Sequence, residues 1–556
     1  MSRKAMCKAI LILAALIGCS AWAQDITGSI VGTVKDPTGA VVSNATVILT
    51  NTDTGVIVRS LKTDSGGSYS APLLPIGHYS VTVEAPGFKK SVQERIELNV
   101  NDKLTINASL QVGGREEDVI VEANPLQVDL QSATATGTIT GLEIRELALN
   151  TRNYEQLVTL LPGVSSSQTT DQLYVGAFAP IGTNVVSFSI NGARTSENNW
   201  TIDGFDNVDR GSNLTLLSFP SVDAIEEFKV VRGAYDPQFG RGGGAQVNVV
   251  TRSGTNTFHG GAYEFFRNDW LNANNFFNKH FSDPTKVVPR PVLRYNDFGW
   301  TFGGPVDLPH VYDGHNRTFF FFSQEFRRTI TYANPTINVP TAAERQGTFA
   351  HTVCIKFNTN GTCAQTGTQI AAGSMSPVAT EYLKDIFSGL PLPNDAVDPH
   401  VAHLAINSIF NYREEALKVD HVFGPRLTVS GKYLHDSIPT TEPFGIFNGT
   451  ANNAGLPGVT STSTNSPGHQ YSGRVTSTLT PTLLLEGGYG YSYGAIVSDV
   501  TGIATTAGSP DVKVPLLFTP TSNRIPSIAF GTGGPTGFGV TGPYRDLIPT
   551  TPSLAP

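Results

Sequence analysis

The chain is poor in sulfur, tryptophan and charge, and each shortage excludes a class of protein. Among 556 residues it has four cysteines, three methionines and four tryptophans, and 15% of the residues are charged. The formal charge of −8 excludes the basic face that a nucleic-acid partner requires. Beyond the N-terminal leader no apolar run approaches the roughly 20 residues of a membrane-spanning helix.

Residues that could perform catalysis or hold a metal are also missing. The chain contains neither His-x-x-Glu nor His-Glu-x-x-His, the metal-binding motifs of peptidases. Three histidines have no carboxylate or nucleophile at a diagnostic spacing: His259, His280 and His310. Three aspartates recur at every third position but miss the alternate-residue spacing of a calcium loop, and we interpret them as turn and loop-capping residues: Asp203, Asp206 and Asp209. We therefore expect no enzyme activity, cofactor or metal.

The N-terminus predicts export. A basic segment precedes an apolar stretch at residues 9–17, and an Ala-Trp-Ala cleavage site ends at Ala23. This pattern is typical of a signal peptide, here residues 1–23. A competing interpretation is a lipoprotein cleavage box at residues 16–19, which would leave a lipidated Cys19.

Only two cysteines lie outside the predicted leader. Cys354 and Cys363 are nine residues apart, and in an exported chain we expect them to form a disulfide. Closing so small a loop stabilises it by about 3 kcal/mol.

Residues 24–112 predict a small β-sandwich. Short β-prone runs alternate with turn sequences such as Asp-Pro-Thr-Gly at residues 36–39, and strands at this spacing are typical of sandwiches. The segment resembles the carboxypeptidase regulatory-like domain, which has a prealbumin-like fold and implies no peptidase. Two roles stay open, a periplasmic spacer or a module that binds a glycan or a partner.

Residues 125–256 contain three glycine-punctuated motifs in order, at 190–204, 222–233 and 240–252. Each is a β-prone run that ends in a tight turn, and Pro220 and Ser221 predict a short helix through Glu227 within the second. In this order the motifs resemble the plug domain of TonB-dependent outer-membrane transporters. The motif residues are Asn191, Gly192, Asp203, Gly204, Arg232, Gly233, Gly242, Gly243 and Gly244.

A linker at residues 113–124 joins the predicted sandwich and plug. Within it, five residues resemble the TonB box, through which this family contacts the inner-membrane energy coupler: Glu117, Asp118, Val119, Ile120 and Val121. Such an extended segment can add a strand to a partner's sheet. The alternative is that the segment is the last strand of the sandwich.

From residue 257 to residue 556 aromatic and aliphatic side chains alternate with polar ones. Phe298, Trp300 and Phe302 share one face of a predicted strand, and Leu483, Leu485 and Tyr489 share one face of another. Alternation with aromatic ends fits a transmembrane β-barrel. Residues 341–407 lack this period and predict a long extracellular loop.

A barrel that encloses a plug has about 22 strands, whereas residues 257–556 provide about eight to ten. We therefore expect an incomplete barrel, and the chain predicts an N-terminal fragment of a longer protein. The fold class is mainly β: a prealbumin-like sandwich, a mixed α/β plug and an incomplete antiparallel transmembrane β-barrel.

The order of segments resembles Oar-like TonB-dependent receptors. This resemblance implies an outer-membrane location with a periplasmic N-terminal domain and lipid around the barrel. It also implies a TonB-like coupling protein as partner and uptake of an extracellular ligand, for which the sandwich favours a saccharide. The alternative is an adhesion or carbohydrate-binding surface protein that transports nothing.

Overall fold

The computed structural model describes residues 26–113, 118–122, 135–149, 152–166, 188–211, 213–233, 242–274, 290, 292–333, 336–395, 397–404, 406–424, 426–445, 456–480, 483–514, 525–526, 528, 544–549 and 553–555. The predicted signal peptide, Glu117 and His280 lie outside these residues, so the predictions for them stay predictions.

The N-terminal segment forms two facing sheets. Its strands are β1 (Gly28–Lys35), β2 (Thr46–Asn51), β3 (Val56–Lys62), β4 (Ser68–Leu74), β5 (Gly77–Glu84), β6 (Lys90–Leu98), β7 (Lys103–Thr105), β8 (Ala108–Ser109) and β9 (Asp118–Glu122). One sheet has the order β4-β1-β7, with β8 also on β1, and the other has the order β3-β2-β5-β6-β9. Because alternate residues of a strand face opposite sides, Ile30, Val47 and Val81 meet in a dry core. The predicted sandwich is confirmed.

The plug combines a mixed sheet with short helices. Its elements are β10 (Thr136–Thr140), α1 (Gly141–Glu146), a 3-10 helix (Tyr154–Leu160), β11 (Val164–Ser166), β12 (Phe188–Ile190), β13 (Asn199–Ile202), β14 (Phe205–Asp206), β15 (Ile225–Val231) and β16 (Gln246–Thr251). Five strands have the order β10-β15-β16-β13-β14, and β11 pairs with β12. Thr140 and Glu143 form a capping box at the start of α1.

The helix predicted to run from Ser221 to Glu227 is shorter than expected. Only Val222–Ala224 is helical, as a 3-10 turn in which the Ser221 hydroxyl accepts a hydrogen bond from the N–H of Ala224. From Ile225 onward the backbone is extended, since it pairs with β16 on one side and β10 on the other. These long-range hydrogen bonds override the local helical pattern.

The C-terminal half forms a curved antiparallel wall and a layer of loops. Its strands are β17 (His259–Asn268), β18 (Leu293–Pro305), β19 (Asp307–Leu308), β20 (Tyr312–Asp313), β21 (Thr318–Ala333), β22 (Thr336–Asn338), β23 (Thr348–Phe357), β24 (Cys363–Gln369), β25 (Val401–His403), β26 (Ile406–Gly424), β27 (Leu427–Ser437), β28 (Thr440–Glu442), β29 (Thr462–Asn465), β30 (Gly468–Thr480), β31 (Leu483–Val500), β32 (Tyr544–Pro549) and β33 (Ser553–Ala555). Eleven strands share the wall sheet, whose main path is β17-β18-β21-β26-β27-β30-β31-β29-β28. Within the described residues the sheet does not close, since β17 pairs with β18 alone.

The predicted alternation of the wall is confirmed. Phe298, Trp300 and Phe302 are about two-fifths exposed on the outer face, at 37%, 43% and 42%, while Asp297 on the inner face is fully buried against the plug. The link between β26 and β27 is a short turn, and the link between β21 and β26 runs for some seventy residues. In barrels of this kind short turns face the periplasm and long loops face outward.

The long loop predicted at residues 341–407 has secondary structure of its own, and its extracellular position stays a prediction. The segment contains the hairpin β23–β24 and the helix α2 (Pro377–Asp385). Ile386 and Phe387 are buried against Leu456, Val459 and other side chains of later loops. This core was not predicted from the sequence because its members come from distant segments of the chain.

Among the described residues no helix is long and apolar enough to cross a membrane.

Candidate functional site

The contact between plug and wall is organised around a tight turn that joins β13 and β14. Asp203 and Gly204 occupy this turn with φ angles of 50° and 79°, the left-handed pair that a two-residue hairpin requires. The turn directs the Asp203 carboxylate back into the protein. Its Oδ1 accepts a hydrogen bond from Thr251 N at 3.0 Å, and its Oδ2 accepts one from Thr251 Oγ1 at 2.7 Å.

Cationic side chains of the wall converge on this carboxylate. Lys432 Nζ lies 2.7 Å from Asp203 Oδ2, and Lys418 Nζ lies 3.7 Å from Asp203 Oδ1. Arg474 donates to the carbonyl oxygen of Asp203 at 3.2 Å and pairs with Glu486 on β31. Three wall strands therefore hold one turn of the plug.

Asp203 stays ionised in this setting. Burial opposes ionisation, but Lys418, Lys432 and the Thr251 hydrogen bonds outweigh it and hold the pKa of Asp203 below its usual value. Asp206 pairs instead with Arg210, and Asp209 accepts from Gly211 N at 2.8 Å. Each aspartate of the triplet thus has its own partner, and no group of three possible metal ligands occurs among the described residues.

A second charged cluster joins the other side of the plug to the wall. Arg152 on the plug pairs with Asp223, lies 3.8 Å from Asp297, and stacks its guanidinium 3.9 Å above the Phe265 ring. Arg327 on β21 donates to Asp297 Oδ2 at 3.1 Å and to Glu325 Oε1 at 2.9 Å. It also donates to Asn153 Oδ1 on the plug at 3.1 Å.

Glu155 lies beside this cluster and has no hydrogen-bond partner for its carboxylate oxygens within the described part of the chain. The side chain is almost fully buried, at 3% exposure. Burial raises the pKa of Glu155 to about 7, although the charge of Arg327 acts in the opposite direction. Burial therefore favours the neutral, protonated form of this carboxyl group.

An apolar contact completes the plug–wall interface. The Phe205 ring lies against Gly490 on β31, where an added Cβ would come within 2.2 Å of the ring. Nearby, Ser492 Oγ donates to Asp206 O at 2.6 Å. Glycine at position 490 is required for this close approach.

The remaining plug-motif residues are structural supports rather than parts of one site. Asn191 Nδ2 donates to Arg232 O at 2.6 Å, which joins the first motif to the second. Gly242 packs against Glu197 O, where a Cβ would lie at 2.1 Å, and Gly244 packs against Asn198. Positive φ angles occur at Asn191, Gly192 and Gly233, at 52°, 76° and 154°. Gly243 lies between the two packed glycines.

The sandwich is attached directly to the plug. The backbone N–H of Val100 donates to Glu227 Oε1, and Lys229 Nζ donates to Val100 O at 2.6 Å and to Asp102 Oδ1 at 2.7 Å. Burial raises the pKa of Glu227 to about 8. Glu227 and Lys229 lie on β15, the strand between β10 and β16, so the sandwich contacts the plug sheet at its second strand.

The candidate coupler segment lies at the edge of the sandwich. Residues Asp118 to Glu122 form β9 and pair in parallel with β6, with Val119 opposite Ser91 and Ile120 opposite Val92. The segment is thus the last strand of its sheet in this structure, and its other edge has no strand within the described residues. A role in binding a coupler and a place in the sandwich are therefore compatible.

Cys354 and Cys363 are joined as a disulfide, with 5.7 Å between their Cα atoms, across the hairpin β23–β24.

The cluster of Arg152, Asp297 and Arg327 was not predicted from the sequence. For Asp297 and Arg327 on the wall, the sequence did contain a signal. Charged residues on the inner face of a strand whose outer face is aromatic indicate contact with buried polar groups.

Three family profiles match the chain and together cover most of it. Residues 29–111 match the Carboxypeptidase regulatory-like domain, residues 129–247 the TonB-dependent Receptor Plug Domain, and residues 250–550 the Outer membrane beta barrel domain. The last profile alone covers more than half of the chain.

Individual relatives agree with the profiles. The TonB-dependent transporter Oar of Myxococcus xanthus is 29% identical over 304 residues, which are 52% of this chain and 26% of that protein. The match thus spans about a quarter of the length of that relative. Two solved structures are also similar: the outer membrane transporter YddB of Escherichia coli (11% identity, TM-score 0.41, 66% of this chain and 40% of that one), and the ferric enterobactin receptor PfeA of Pseudomonas aeruginosa (12% identity, TM-score 0.36, 74% and 44%).

The plug profile describes a receptor and the barrel profile an outer-membrane protein, and neither describes an enzyme. With a plug profile followed by an outer-membrane barrel profile that covers more than half of the chain, the chain belongs to the TonB-dependent outer-membrane receptors.

Proposed function

We propose that this receptor imports an extracellular ligand, and that a TonB-like coupler binds residues 117–121 by strand addition. The observation that carries the proposal is the position of β9 at the end of the order β3-β2-β5-β6-β9. The free edge of a terminal strand presents unpaired N–H and C=O groups, which are the groups that an added strand uses.

The contacts of the sandwich supply a path from this segment to the plug. β9 pairs with β6, and shortly after β6 the chain reaches Val100 and Asp102, which hold Glu227 and Lys229 on β15. β15 is paired on both sides within the plug sheet. A pull on β9 therefore reaches the plug through hydrogen bonds as well as through the covalent chain.

Two proline substitutions test the coupler segment. Successive residues of a strand direct their N–H groups to opposite edges, so Val119→Pro and Ile120→Pro each remove a donor from one edge. We expect one of them to weaken binding of the purified periplasmic domain of the coupler by at least tenfold in isothermal titration calorimetry. Val119→Thr, which keeps the donor and the β-propensity, is the matched control. Unchanged affinity in both proline variants would contradict the assignment.

A second candidate function, surface binding without transport, is favoured by the loop layer. This layer has its own hydrophobic core, with Tyr382 and Ile386 among its buried members, and so presents a fixed surface to the exterior. The two functions differ in their need for energy. Addition of a protonophore should abolish accumulation of a transported ligand but leave surface binding unchanged.

The ligand class stays a prediction. The sandwich favours a saccharide through its resemblance to carbohydrate-binding-like folds, and a glycan array probed with the purified receptor would test this. Absence of binding to any saccharide on the array would count against this class.

A further inference from the structure

A cavity of about 520 Å³ lies where the sandwich, the plug and the wall meet. It is located at the end of the wall that has the short turns, since residues Gly424 and Arg426 belong to its lining. Its volume falls within the range of roughly 300–1,000 Å³ that small-molecule sites occupy.

On the side of the wall, small side chains with hydroxyl groups line the cavity. Ser430 on β27 pairs with Asp420 on β26 and with Arg474 on β30. Residues paired across antiparallel strands share a face of the sheet, so Ser430 faces the same side as Asp420 and Arg474. Ser472 and Thr476 also line the cavity. Small side chains at these positions leave the space that larger ones would fill.

The lining carries more positive than negative charge. It contains six Lys or Arg residues: Arg59, Arg252, Lys418, Arg426, Lys432 and Arg474. It contains four Asp or Glu residues: Asp53, Asp203, Glu226 and Asp420.

Several of these charges pair with one another. Within the described residues Asp420 forms no ion pair, and two arginines have no carboxylate partner. Lys418 and Lys432 face Asp203. Arg59, by contrast, donates to the carbonyl oxygens of Val58 and Leu73 and has no carboxylate partner among the described residues, and the same holds for Arg426. In a concave, partly apolar site, an excess of positive charge produces a stronger electrostatic attraction for anions than it would on an open surface.

We propose that this cavity is a binding site for an anionic solute, a carboxylated, sulfated or phosphorylated compound that is exchanged with the periplasm. The evidence for this binding site is the shape and charge of the cavity. Only the further idea that the bound solute is the imported ligand rests on the proposed function.

The test measures how fast two reagents of opposite charge modify a cysteine placed in the cavity. Ser430→Cys is made in the full chain after removal of the predicted signal peptide, which carries the other two cysteines. The disulfide occupies Cys354 and Cys363, and Ser374→Cys in an exposed turn serves as reference. The anionic reagent is sulfonatoethyl methanethiosulfonate, and the cationic one is its trimethylammonium analogue. We expect the anionic-to-cationic rate ratio to be several-fold higher at position 430 than at position 374.

Charge variants and a competitor complete the design. Arg426→Glu should bring the ratio at position 430 close to the reference, whereas Lys356→Glu on the distant hairpin makes the same charge change and should leave it unaltered. Millimolar citrate should slow labelling at position 430 but not at position 374, compared with sodium chloride at the same ionic strength.

The proposal is wrong if the two ratios are equal, if the cationic reagent is preferred at position 430, if neither reagent reaches position 430, or if citrate gives no protection there. Labelling of purified protein requires neither the coupler nor an energised membrane. Failure of this site and failure of the coupling proposal are therefore distinguishable.

Discussion

Lys432 Nζ on the wall lies 2.7 Å from Asp203 Oδ2 on the plug, and both side chains are less than a tenth exposed. The two residues are more than two hundred positions apart in the chain and belong to different domains. Any displacement of the plug within the wall must separate these charges, or the plug turn must change shape. The pair is thus a natural place to test how firmly the plug is held.

Asp203→Asn should destabilise the plug by about 3–5 kcal/mol, because removal of one partner leaves Lys432 buried without its counter-charge. The measurement is the midpoint of denaturant unfolding of the purified receptor. Asp209→Asn, a change of the same kind in the next loop, should have an effect within about 0.5 kcal/mol.

The double variant Asp203→Asn with Lys432→Met tests whether the loss comes from the unpaired lysine, since asparagine tolerates the left-handed φ of this position and keeps an acceptor for Thr251. Because Lys432 is then no longer buried without a counter-charge, part of the stability lost in Asp203→Asn should return. A double variant that is less stable than the single one would show that the ion pair itself contributes net stability.

Glu155→Gln should stabilise the protein at high pH and not at low pH. The pKa of Glu155 is raised from 4.5 to about 7, so its favourable contribution is complete below pH 4.5 and is lost as the pH rises through 7. The neutral amide avoids this loss, worth roughly 3 kcal/mol at pH 8. Thermal unfolding at pH 4.5 and pH 8 measures the difference, and exposed Glu146→Gln is the control. Equal gains at both pH values would contradict a raised pKa.

Lys229→Met should release the sandwich from the plug without unfolding either domain. It removes the hydrogen bonds from Lys229 Nζ to Val100 O and Asp102 Oδ1, and hydrogen bonds to charged groups contribute about 1.5–3 kcal/mol each. We expect faster proteolytic cleavage between the two domains. The control is Lys62→Met on the exposed strand β3, and a protease should cleave this variant at the same rate as the unmodified protein.

Reduction of the disulfide between Cys354 and Cys363 should affect only the hairpin β23–β24. The bond closes a small loop on an exposed hairpin, so its contribution of about 3 kcal/mol applies to local opening. Limited proteolysis should cut the hairpin sooner after reduction, while the unfolding midpoint of the wall stays the same. A fall in that midpoint would show that the hairpin supports the wall.

Much of the fold followed from patterns that are local in the sequence. Two-residue periodicity predicted the sandwich strands and the outward stripe of Phe298, Trp300 and Phe302, since each depends on neighbours in the same strand. The Asp-Gly pair at positions 203 and 204 predicted its turn for the same reason, because only left-handed φ values close so short a loop.

The candidate site was less accessible to sequence reasoning because its partners are remote. No pattern of neighbouring residues pairs Arg152 with Asp297, or Asp203 with Lys432. These side chains meet only because the folded wall packs against the plug. The early start of β15 at Ile225 and the core beneath residues 341–407 have the same origin, since both depend on pairing or packing with segments far along the chain.

The attachment of Val100 and Asp102 to β15 has a consequence for the order of events in the uptake that we propose. Because the N-terminal module lies on the periplasmic side of the plug and shares hydrogen bonds with it, the plug cannot shift toward the periplasm unless the module travels with it or lets go first. The work that opens a passage would then begin where the module meets the plug sheet, at Glu227 and Lys229, before any contact with the surrounding strands is broken.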